Sequence, residues 1–122
     1  MSLMKVKSRG DFKNTETFLL NHKISYFTDK QLEDIAVKSV SIFKKNTPSK
    51  SGLTADSWSY EIDNSKNKQA IIIHNSNIQN GYNIAIIIDE GHATPSGKWV
   101  AGKHFIDKSI KEIVNYINSI EN

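Results

Sequence analysis

Apolar positions along this 122-residue chain follow several distinct spacings, and each spacing predicts an element. Leu32, Ile35, Ala36, Val40 and Phe43 recur at three and four residues, which predicts a helix from Asp29 to about Lys45. Thr28 and Gln31 have capping-box spacing at its start, and Lys44 and Lys45 complement the carbonyl end of its dipole. Trp58, Tyr60 and Ile62 alternate with Ser57, Ser59 and Glu61, the pattern of a half-buried strand. Turn-forming residues 63–67 and a second run, Ala70 to His74, complete a hairpin. Residues 75–82 read as a loop, and the unbroken apolar run Ile84 to Ile88 reads as a central strand covered on both faces. Ile106, Ile110, Ile113, Val114, Ile117 and Ile120 form a helical seam from about Phe105 to Ile120. Asn14 to Leu20 has the makings of a short helix, capped by Asn14 or Thr15, with Phe18, Leu19 and Leu20 as its apolar surface.

Two stretches interrupt these patterns. From Thr47 to Trp58 the chain stops a helix, turns and opens a strand, so the stretch acts as an architectural joint. Pro48 disfavours helical geometry at Thr47, Gly52 allows a positive φ, and Trp58 begins the alternation. From Asp89 to Lys103, Gly91, Gly97, Gly102 and Pro95 surround few apolar residues, which predicts a long loop. Trp99 and Val100 in that loop are left exposed unless they pack on a neighbour or on another molecule. The resulting fold class is α+β: a small antiparallel sheet packed by a long helix in the N-terminal half and a C-terminal helix, with a long Gly-rich loop before the last helix.

Length and composition narrow the possibilities. Residues 1–13 read as a basic arm and 14–122 as one domain, with residues 1–3 ahead of Met4 having the look of an expression scar. The absence of cysteine removes disulfides and thiolate metal sites and fits synthesis in a reducing cytoplasm. No run approaches the roughly 20 apolar residues that span a bilayer, so no membrane partner is expected. The net charge of +3 is uneven: residues 1–60 hold ten Lys or Arg against six Asp or Glu. Lys5, Lys7 and Arg9 on the arm imply at most weak, salt-sensitive contact with nucleic acid.

Candidate chemistry is sparse. No two of His22, His74, His92 and His104 have the three- or four-residue helical spacing of common zinc motifs. Asp89, Glu90 and His92 can gather two carboxylates and an imidazole at a strand end, but no nucleophile or second carboxylate cluster accompanies them. Residues 91–98 imitate a phosphate-binding loop and fail on spacing: Pro95 removes an amide, and Trp99 stands where a hydroxyl residue belongs. Trp58 and Tyr60 lack the interleaved cations of a base-stacking groove, so core or protein contact is the expected use of these aromatics. No catalytic residue, cofactor site or metal site is assigned.

Thr47-Pro48, then Gly52, then Ser57-Trp58-Ser59-Tyr60-Glu61-Ile62, then Asn75, Ala85 to Ile88 and Gly91-His92, then Gly97, Trp99-Val100, Gly102 and Phe105-Ile106 form an ordered series. That series resembles the head-tail joining, or tail-completion, neck proteins of long-tailed bacteriophages and their prophage remnants. The resemblance implies a non-enzymatic structural protein of the virion neck or tail, assembled in the host bacterial cytoplasm. Its implied partners are copies of itself in a ring and the phage connector, adaptor and tail proteins. Gly91, His92, Gly97, Trp99, Val100 and Gly102 are the expected interface, and Thr47, Pro48, Gly52 and Trp58 the structural joint. His104 departs from the pattern, since an acidic or other helix-capping residue is expected there. Two other readings stand beside this one. The first is a small basic nuclease or toxin using Glu90, His92 and His104; the second is a nucleic-acid-binding module using the arm.

Overall fold

The computed structural model describes residues 4–8, 17–22, 27–48, 50, 52–65 and 68–121. In chain order the elements are β1 (Met4–Ser8), β2 (Thr17–His22), α1 (Asp29–Asn46), α2 (Gly52–Ala55), β3 (Trp58–Ser65) and β4 (Lys68–Asn75). They continue with β5 (Ile78–Gln79), β6 (Tyr82–Asn83), α3 (Ile84–Glu90), β7 (Gly91–Ala93), β8 (Trp99–Ala101) and α4 (Phe105–Glu121). The main sheet is antiparallel with order β1-β2-β4-β3, and α1 packs against both β3 and α4. The fold is the expected α+β class.

Each long element starts and stops for a local reason. The Thr28 hydroxyl accepts from the Gln31 amide at 3.1 Å, and the Gln31 carboxamide accepts from the Thr28 amide at 2.9 Å, so the capping box opens α1. Pro48 closes it: Thr47 is extended at φ −66°, ψ 130°. On β4, Ile71 and Ile73 face the helices, and in the β3 register Ile62 and Tyr60 lie opposite them. Phe43, Ile35, Ile73, Ile113 and Ile117 are fully buried. Each such side chain contributes roughly 1.5–3 kcal/mol by leaving water. The seam of α4 faces α1 through Ile106, Ile113 and Ile117.

Three expectations are corrected. Ile84 to Ile88 is helical: α3 runs to Glu90, with Asn83 as N-cap and Gly91 (φ 93°) as C-cap. An unbroken apolar run has no period of its own, so the flanking caps decide the element. Leu20 and its neighbours, expected in a short helix, form β2, which pairs with β1 and β4 at once, Val6↔Leu20↔Ile71. A seven-residue helix has little stability alone, whereas the open edge of β4 offers a full ladder. Asn14 and Thr15 lie outside the described residues. Part of the expected arm, Met4–Ser8, is the edge strand of the sheet, and Arg9 lies outside the described residues.

Smaller differences concern the loops. The expected loop 75–82 begins with the last residue of β4 and then forms most of the β5-β6 hairpin, which ends at Asn83 and is closed by Asn80 (φ 53°) and Gly81 (φ 79°), the positive-φ pair of a tight hairpin turn. The Gly-rich stretch before α4 is partly ordered as the β7-β8 hairpin, with His92 paired to Val100 and Ala93 to Trp99.

Candidate functional site

The joint is held by a relay from the Trp58 indole through the Thr47 hydroxyl to the Phe43 backbone carbonyl. The Thr47 hydroxyl donates to the Phe43 carbonyl at 2.6 Å and accepts from the Trp58 indole N–H at 2.9 Å. The Trp58 ring lies 4.5 Å from Phe43 and meets Phe105 edge-on at 6.4 Å. A buried indole needs an acceptor, and the extended Thr47 places its hydroxyl within reach. Gly52 does not act as expected: it opens α2 without a positive φ, and a Cβ there would meet nothing within 4 Å. The turn is instead fixed downstream by buried amides. Asn75 donates to the Thr54 carbonyl at 2.8 Å, Asn77 to the Thr54 hydroxyl at 2.8 Å, and Asn83 to the Asn75 carbonyl at 3.1 Å. These bonds tie α2, the end of β4 and the start of α3 into one unit.

The β7-β8 hairpin is clamped at its root. Gly91 has φ 93°, and a Cβ there would stand 2.7 Å from the Val100 carbonyl, 2.8 Å from the Gly102 amide and 2.9 Å from the Trp99 ring. At Gly102 a Cβ would collide with the backbone of Asp89 and Glu90. Both glycines are therefore required by close approach. The Lys103 and His104 amides donate to the Ile88 and Asp89 carbonyls at 2.9 and 3.1 Å, closing the end of α3. The Asp89 carboxylate accepts from the Ile106 amide at 2.9 Å, so it caps α4 from across the hairpin. This explains the missing capping residue at His104, which has φ 49°: the capping acid comes from Asp89.

Between the joint and the hairpin lies a groove of about 330 Å³. Pro48, Ile87, Ile88, Val100 and Ala101 give it an aliphatic floor. Lys50, His92 and Lys103 stand at the same groove and supply its polar groups. Of the expected interface residues, His92 and Val100 line it, and Gly91 and Gly102 hold the strands that carry them. Trp99 does not line it and stands 66% exposed; Val100 is 41% exposed. Gly97 turns the far end of the hairpin at φ 85°, its amide donating to the Thr94 carbonyl at 2.9 Å, and a Cβ there would meet nothing within 4 Å. Trp58 is in the core.

Asp89 is engaged in capping, and among the described residues no three His, Asp or Glu lie where they could hold a metal ion. His74 contacts Glu61 at 3.0 Å on β3. Sequence reading missed Ile87 and Ile88 as groove residues because it assigned them to a strand, and it passed over Lys50 and Lys103, although both fall within the two interrupting stretches, because it weighed only the glycines, prolines and aromatic residues there. Asn83 and Gly91, reading as N-cap and C-cap, were the signals for α3. Comparison with known proteins returned no matching family model, no matching curated protein and no matching solved structure.

Proposed function

We propose that this chain is a non-enzymatic subunit of a bacteriophage neck, joining head to tail or completing the tail within a ring of copies. The observation that carries the reading is convergence. Pro48, His92 and Val100, drawn from separate pieces of the phage-like series, meet around one groove. The adjoining hairpin presents Trp99 to solvent on a glycine-clamped root. A rigid hairpin with an exposed indole suits a contact completed only by another subunit, because aromatic anchors carry much of the binding energy of protein interfaces. Interface residues of this kind belong on the neighbours of a head-to-tail ring.

The test is an amber stop in this gene in the phage that carries it, with particles imaged by cryo-electron microscopy beside the suppressed control. Full heads and separate tails are expected without suppression. Intact, infectious virions from the unsuppressed lysate would overturn the proposal.

A further inference from the structure

We infer that the groove between the joint and the hairpin docks an acidic segment of a partner protein, with one apolar side chain seated on the aliphatic floor and carboxylates set against Lys50 and Lys103. The floor is hydrocarbon throughout, from Pro48, Ile87, Ile88, Val100 and Ala101, and its volume of about 330 Å³ has room for a large side chain. Burying such an anchor in a preformed pocket is how compact interfaces gain most of their affinity.

The charge around the groove selects the partner. No carboxylate lines it, and neither Lys50 nor Lys103 has an ion-pair partner among the described residues. Asp56 is paired with Lys44 at 3.1 Å, Asp89 is engaged with the Ile106 amide, and Glu90, at the end of α3, does not line the groove. Two unpaired ammonium groups beside an apolar floor complement an acidic, apolar segment and disfavour a basic one. A nucleic acid is the poorer match: among the described residues no Phe, Tyr or Trp lines the groove to make a stacking platform, His92 being its one aromatic ring, and the aliphatic floor gives phosphates nothing. A second copy is also a poorer match, because its exposed Trp99 follows Lys98 and would bring another cation to the two lysines. The inference rests on the groove alone and holds whether or not the chain proves to be a neck protein.

The experiment uses the full chain, isotopically labelled, titrated with the peptide acetyl-Glu-Asp-Leu-Phe-Asp-Glu-amide and followed by amide chemical shifts. Shifts at Ile87, Ile88, Val100 and Lys103 are expected. In a Lys50→Glu/Lys103→Glu variant, affinity should fall about tenfold or more, with the rest of the spectrum unchanged. Val100→Ser, which trims the floor and leaves the cations, should also weaken binding. The same peptide with lysine at every acidic position should not bind. Four results would overturn the inference: no shifts at millimolar peptide, shifts confined to another surface, equal binding of the lysine peptide, or binding undiminished in the charge-reversed variant. Groove shifts produced instead by oligothymidylate, or by raising protein concentration without peptide, would replace the acidic segment with a nucleic acid or a second copy.

Discussion

Glycines in this chain are not equivalent, and the difference is local. Gly52 has free space around the position of a Cβ and no positive φ, so Gly52→Ala removes unfolded-state freedom without native strain. That variant should be as stable as the parent, or up to about 1 kcal/mol more stable. Gly91 combines φ 93° with three contacts under 3.0 Å, two of them to backbone that cannot swing aside. Gly91→Ala should cost roughly 1–3 kcal/mol and loosen the hairpin. Paired urea melts measure both effects, and equal destabilisation by the two substitutions would contradict this account. From sequence Gly52 reads as the positive-φ glycine of the joint and Gly91 as one glycine of a long loop, because a glycine's letter records permission for a conformation and not its use. Only the approach of Val100 and Gly102 shows which one is needed.

Contacts between elements set the pH response and the site geometry. Glu112 on α4 bridges to the end of α1, accepting from the Asn46 amide at 3.3 Å and pairing with Lys45 at 3.3 Å. Desolvation lifts its pKa, but the hydrogen bonds from Asn46 and Lys45 and the positive charges of Lys45 and Lys108 outweigh it and hold the carboxyl below its usual range. A depressed folded pKa stabilises the fold above the unfolded value of 4.5 and loses that contribution as pH falls through the folded value. Glu112→Gln should therefore lower stability near neutrality and flatten its decline on acidification, as read from urea melts across that range. An unchanged acid limb would refute the bridge. The Asp89 cap is the second such contact. Asp89→Ala should cost about 1 kcal/mol while Asp89→Asn retains most of the stability, because either oxygen can serve the Ile106 amide. Thermal melts separate the two.

How far each element was legible depended on whether its signal was local. Helix α1 announces itself by its period and its capping box, α4 by its period alone, and the β3-β4 hairpin by alternation and turn residues, and they were found to within a residue or a few at their ends. β2 was not, because what makes Thr17–His22 a strand is β4, far along the chain. α3 was not, because five apolar residues fit either period. The groove needed both: His92, Val100 and Pro48 were singled out separately, but their meeting, and the presence of Lys50 and Lys103 beside them, follows from α3 being a helix that turns the chain back.

The molecule as a whole separates what holds it together from what it presents. Its core runs through α1, β3, β4 and α4, whereas Trp99 and Val100 lie outside that core on a hairpin secured by backbone bonds and glycines. Trp99 is largely in water and Val100 is only partly covered, so neither contributes much to folding and losing them should cost little. The double variant Trp99→Ser/Val100→Ser should therefore melt within about 0.5 kcal/mol of the parent. If the hairpin is a contact between subunits, the same variant should fail to complement the amber mutant, leaving heads and tails unjoined. A large loss of stability would show that the indole braces the root of the hairpin through its contact at Gly91, and a phage defect would then say nothing about an interface. Normal stability with normal virions would remove the hairpin from the assembly surface. Only a stable protein that no longer assembles assigns these two residues to a contact between molecules.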